Sequence, residues 1–150
     1  MIQFLLGTWF ICSTNFPMWT KGNKTGPTFN YSLYSKPTDN PVLFDEVKYL
    51  KNGKQKSIRG YDYPDTQDLS RFTWRGKGLL WIARSKWQVA LKDPEGQWAV
   101  IHFSKTLFTP EGVDIICRRP HPDKVMLADI KKSMAENTLL KQHISSLKDL

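Results

Sequence analysis

The sequence predicts a mainly β domain: an eight- to nine-stranded antiparallel up-and-down barrel followed by a C-terminal α-helix. Three observations carry this prediction. Short runs in which apolar and β-branched residues alternate with polar ones recur from Gly7 to Arg118, and a two-residue period marks a strand with one face buried. Turn chemistry separates the runs. Beyond Pro122 the apolar period lengthens to three and four residues, the spacing of a helix laid on a sheet.

The strand candidates span residues 7–14, 28–35, 42–50, 54–62, 69–75, 79–84, 86–92, 97–103 and 112–118, and merging of neighbours would leave eight. The run Met1 to Leu6 leads straight into the first of them. It is too short for the apolar region of a signal peptide and carries no charged leader. Between the first two strands, 15–27 lacks alternation and holds Phe16, Met18 and Trp19. Long connections of this kind are usually functional or mobile, so these three side chains are read either as a lid over a barrel mouth or as packing on the outer wall. Asn52-Gly53 supplies the positive φ pair of a tight hairpin, while Asp93-Pro94-Glu95-Gly96 and Thr109-Pro110-Glu111-Gly112 place Pro at the second position of a turn. Consecutive hairpins form a meander, and closing it removes both raw edges. Eight strands leave room for side chains or one small ligand. In the last segment Val125, Met126, Ile130 and Met134 form an apolar stripe, His121 to Asp123 is the start signal, and 139–150 is a weaker helical run.

A chain of 150 residues corresponds to one domain, here a barrel over about 7–119 and a helix over about 122–150. Aromatic residues make up 13% of it, with six Trp, more large rings than a minimal core needs and enough to line a cavity. The net charge of +8 is spread along the whole chain, which argues against a dedicated nucleic-acid surface and for a solvated basic exterior. No stretch approaches the length of a membrane span. The reading is a cytoplasmic monomer or weak homodimer, or a secreted protein if an upstream segment was removed. Cys12 and Cys117 show no metal-binding spacing; they are read as two small semi-buried residues or as a bridge between the first and last strands.

No nucleophile triad, phosphate-binding glycine loop or zinc motif is present, so no cofactor, no metal site and no catalytic residue is assigned. The weak catalytic candidate is His102, in the apolar run Val100 to Phe103, where an imidazole is either an acid/base group or a satisfied core residue. Asp45 and Glu46 are its candidate partners, one of which must point outward. Tyr31, Arg59 and Arg75 are the other polar strand residues that alternation could direct inward.

Gly7-x-Trp9 at the head of the first strand resembles the lipocalin signature. Phe29 to Leu33 is similar to the second lipocalin strand, Gly53-Lys54 with Gly60 to the fourth, and Ile115-Ile116-Cys117-Arg118-Arg119-Pro120 to the closing strand, with a helix following. The resemblance is loose and covers nearly the whole chain. Where many lipocalins carry Thr-Asp-Tyr this chain has Asp93-Pro94-Glu95-Gly96, which places the likeness with the wider calycin group. It implies that Trp9 closes the base of the barrel with Arg118 packed across its ring, Arg119 being the competing candidate. It also implies that Phe29, Tyr31 and Leu33 face inward with Ile11, and that a small hydrophobic or amphipathic ligand sits between them. Trp74, Trp87, Val89 and His102 are further candidates for that wall. A barrel isomerase, cyclase or decarboxylase using His102 is the first alternative, and a nucleic-acid-binding barrel with interleaved rings and cations at 72–77 and 84–87 is the second.

Overall fold

Eight of the alternating runs become strands that pair in chain order and close on themselves. The computed structural model describes residues 1–34, 41–80, 82–107 and 109–150. Its barrel strands are β1 (Gly7–Thr14), β2 (Thr25–Leu33), β3 (Leu43–Lys51), β4 (Lys54–Pro64), β5 (Arg71–Gly76), β6 (Arg84–Lys92), β7 (Trp98–Phe103) and β8 (Gly112–Cys117). Every pairing is antiparallel. β1 closes the barrel by pairing β8 through Phe10↔Cys117 to Thr14↔Asp114 and β2 through Gly7↔Tyr31 to Phe10↔Thr28. Once β2 has diverged, the end of β1 has a free edge. A short ninth strand, β9 (Lys148–Asp149), pairs there with Ser13 and Thr14, and covering such an edge removes a site for unwanted pairing.

The helices are α1 (Ile2–Leu5), α2 (Pro17–Thr20) and α3 (Lys124–Ala135). Asp123 caps α3, its carboxylate accepting from the Met126 N–H at 2.7 Å. Leu127, Ile130 and Met134 of α3 pack with Cys12, Val100, Val113, Ile115 and Cys117 on the outer wall of β1, β7 and β8. These strands therefore bury both faces, which is why their sequence reads as nearly continuous apolar runs. Cys12 and Cys117 are free thiols buried in this layer.

Several boundaries differ from expectation. Residues 1–6 form a helical turn rather than a lead into β1, because Gly7 at φ +97° breaks the chain direction. The strand expected over 79–84 does not form. Gly78–Leu80 makes a 3-10 turn, the Ala83 N–H donates to the Leu80 carbonyl at 2.8 Å, and the stretch is the β5–β6 connection, framed by Gly76 and Gly78; Trp81, like Ser35 of the second expected strand, lies outside the described residues. Past Asn137 the expected helical run is a 3-10 turn, Lys141–Ser146, followed by β9. Val125 is 71% exposed, and Leu127 takes the buried position instead.

Candidate ligand-binding site

Alternation along each strand decides which side chains meet inside the barrel. Trp9 and Ile11 of β1, Phe29 and Tyr31 of β2, Leu43 and Val47 of β3, Phe72 of β5, Trp87 and Val89 of β6, Ala99 and Ile101 of β7 and Ile116 of β8 form one buried cluster, with Trp74 and Phe103 packed against it. The rings make a continuous column. Phe72 stacks on Trp87 at 4.5 Å between centroids, Trp87 on Tyr31 at 6.0 Å, and Tyr31 on Phe29 at 5.9 Å; Phe29 then reaches Phe103 at 6.3 Å.

At the end where α1 lies, Trp9 donates its indole N–H to the Leu5 carbonyl at 2.7 Å, and the Arg118 guanidinium sits 3.5 Å from the centre of its ring. Arg118 also donates to the carbonyls of Thr8 at 3.0 Å and Phe4 at 2.8 Å, so one side chain ties β8 to the N-terminal turn. A Cβ on Gly7 would stand 3.3 Å from that guanidinium. Arg118, not Arg119, is thus the closing arginine. The segment with α2 sends its side chains into the same cluster. Phe16 and Trp19 are buried in the interior cluster with Met18 against it, Phe16 edge-on to Phe103 at 5.3 Å and Trp19 edge-on to Tyr49 at 5.5 Å. These side chains thus pack with the interior cluster and not on the outer wall.

Leu33 and His102 are not brought to the interior. Leu33 is 40% exposed at the end of β2. His102 faces outward because its neighbours Ile101 and Phe103 take the inner face of β7. Arg59 and Arg75 are outward as well: Arg59 pairs with Glu46 at 2.7 Å, and Arg75 lies over Tyr63. Glu46 points out as Asp45 points in, so the expected partnership of Asp45 with His102 is not made.

The interior also holds three buried carboxyl groups, of which the sequence reading singles out Asp45 and misses Asp62 and Asp114. Asp45 is 5% exposed, Asp62 fully buried and Asp114 1% exposed. Asp62 Oδ1 accepts from the Trp87 indole at 2.7 Å, and Asp114 Oδ1 accepts from the Thr14 hydroxyl at 2.5 Å. Burial pushes all three upward, Asp62 and Asp114 each to about 7; for Asp45 the nearby Asp62 charge adds to the rise, and the Trp74 indole opposes it. Tyr31 is raised well above its usual value by burial and by the three Asp charges. Gly60, the cross-strand partner of Asp45, lets the Trp74 ring lie against the backbone there, since a Cβ would fall 2.3 Å from that ring. The signal was present as period-two placement of Asp62 with Gly60 and of Asp114 with Ile116.

On the outer wall His102 joins a second polar group. His102 Nε2 lies 2.9 Å and His143 Nε2 3.2 Å from the same Glu111 oxygen, and the three could in principle hold a metal ion. Hydrogen bonding argues otherwise. Asn15 Oδ1 accepts from the Val113 N–H at 2.8 Å, which turns the Asn15 amide toward Ser146 Oγ and toward His143 Nδ1 at 3.3 Å. His143 Nδ1 therefore accepts, its proton sits on Nε2, and that nitrogen donates to Glu111 rather than offering a lone pair to a metal. The group is a latch holding the 3-10 turn, Lys141–Ser146, on the barrel. Glu111 is held below its usual value chiefly by the His102 hydrogen bond, with His143 assisting. Replacing Glu111 with Ala leaves two buried imidazoles short of an acceptor, a loss of about 2 kcal/mol. Hydrogen exchange is expected to accelerate at 141–146 while the barrel strands stay protected.

No protein-family model matches the chain, and no curated protein sequence matches it. Solved structures do. Lobster apocrustacyanin A1 superposes with a TM-score of 0.70 at 10% identity, covering 98% of this chain and 77% of that one. Apocrustacyanin C2 gives 0.69 at 11%, covering 96% and 75%. The siderocalin Ex-FABP, described as acting through dual ligand specificities, gives 0.67 at 13%, covering 98% and 93%. At these identities the likeness is one of fold.

Proposed function

We propose that this chain, whose fold is that of a lipocalin-like calycin, binds a small hydrophobic or amphipathic molecule inside its barrel. The observation that carries the reading is the inward column of Phe72, Trp87, Tyr31 and Phe29, with Phe103 completing it. Wide flat rings offer large contact area at little entropic cost, and pockets for small molecules are mostly apolar with a few placed polar groups. Ile11, Trp74 and Val89 extend the wall, and Phe16, Met18 and Trp19 cover the mouth. His102 has no part in this site, and Trp9 with Arg118 serves to close the base. The siderocalin neighbour binds ligands in the same architecture, which supports the reading at the level of fold. No helix among the described residues is long and apolar enough to cross a membrane.

The test is fluorescence titration with retinol, which reports on the interior tryptophans. Saturable quenching with a one-to-one stoichiometry is expected. Trp19→Ala is expected to speed retinol release by about tenfold, the equivalent of about 1.4 kcal/mol of lost cover, with the barrel's far-UV signature unchanged. Absence of saturable quenching by retinol, together with native mass spectra showing no co-purifying small molecule, would overturn the reading.

A further inference from the structure

We infer that the ligand of this barrel carries a protonated amine, received by Asp45 and Asp62 beside the rings of Tyr31 and Trp87. The inference rests on the barrel-interior reading above and names the chemistry of its occupant.

Three facts lead to it. First, Asp45 Oδ1 and Asp62 Oδ2 are buried side-chain oxygens without a hydrogen-bond partner, so these atoms do not share a proton with one another. An unpaired buried polar group costs free energy, and a buried carboxylate costs most of all. Secondly, the buried residues among those described include three aspartates and no Lys or Arg, although the chain as a whole carries eight more cationic than anionic side chains. Three acids lie within and no cation is buried with them. Thirdly, the carboxyls stand among π faces: Trp87 donates to Asp62 from within the Phe72–Trp87–Tyr31 stack, and Tyr31 is the cross-strand partner of Asp45. A carboxylate flanked by aromatic faces is the surrounding that a desolvated ammonium prefers. A fatty acid or other carboxylate would meet like charge there, and a neutral hydrocarbon would leave both oxygens orphaned. Calcium would demand six or more oxygen ligands, which the two carboxyls do not supply.

Calorimetric titration of the intact chain at pH 7.5 with three ligands of one shape decides the matter: tryptamine, 3-ethylindole and indole-3-propionate. Tryptamine is expected to bind at least tenfold more tightly than 3-ethylindole, and indole-3-propionate not to bind. In Asp45→Asn/Asp62→Asn the preference is expected to vanish, with tryptamine falling to the level of 3-ethylindole; retained retinol binding confirms that the variant folds. Equal or tighter binding of 3-ethylindole by the native chain overturns the amine inference and leaves the apolar-site reading standing. A barrel that takes up neither these compounds nor retinol overturns both. A tryptamine preference that survives in the double variant places the amine elsewhere and overturns the assignment to these residues.

Discussion

The ligand-free protein is expected to lose stability as pH rises from about 4 to about 8, against the common pattern in which buried ion pairs fail in acid. The sign follows from the interior carboxyls. Burial raises Asp114 and Asp62 to about 7 in the folded chain, while in the unfolded chain they titrate near 3.8. The folded state thus holds protons that the unfolded state has released, so their contribution is fully present below the unfolded value and is lost as pH passes through the folded one. For Asp114 the full swing is about 4 kcal/mol. Thr14 donates to it, and Tyr31 is a further titratable group that senses its charge. Asp114→Asn keeps an oxygen to accept from Thr14 but removes the charge. It is expected to match the native protein below about pH 4, exceed it increasingly up to pH 8, and reduce the slope of the urea midpoint against pH. An unchanged slope in Asp114→Asn would show that its carboxyl does not titrate in this window.

Trp9→Ala is expected to cost about 3–5 kcal/mol, the range for truncating a large buried ring. Trp9 is fully buried, fills the base of the barrel, and satisfies the Leu5 carbonyl. Arg118→Ala is expected to cost about 2 kcal/mol, since it frees the carbonyls of Phe4 and Thr8 and removes the cation from the indole face. The two losses are not additive. In a double-mutant cycle the pair should show a coupling of about 1 kcal/mol or more, read from urea unfolding. Arg118→Lys is not expected to restore it, because a single ammonium cannot lie flat on the indole and reach both carbonyls at once.

Much of the barrel could be read from residue order because each strand's pattern is local. Asn52-Gly53 forms the β3–β4 turn with both residues at positive φ, and Asp93 to Gly96 turns β6 into β7. Misreadings cluster where local pattern is silent or misleading. The apolar stretch near Leu79 has the composition of a strand, yet Leu79 is wholly exposed, since no neighbouring strand is free to pair with it. His102 sits in a run that is apolar at every neighbour. β7 is covered on its inner face by the barrel core and on its outer face by the α3 layer, so polarity gave no hint of its facing.

The amino-acid sequence by itself determined the class of fold and a barrel of eight or nine strands, while the pairing of Trp9 with an arginine at 118 or 119 and the inward facing of Phe29 and Tyr31 came from the lipocalin resemblance. Period-two patterning and turn residues act over a few positions and need no partner to be legible. Tertiary structure alone decided that Phe16 and Trp19 are buried in the interior cluster. It alone decided that His102 meets Glu111 and His143 outside, and that Asp45, Asp62 and Asp114 meet inside a basic protein. Those outcomes depend on which strands become neighbours and on how closure aims their faces. His102 and Glu111 are 9 positions apart and Thr14 and Asp114 are 100 apart, and only the closed barrel brings such partners within reach.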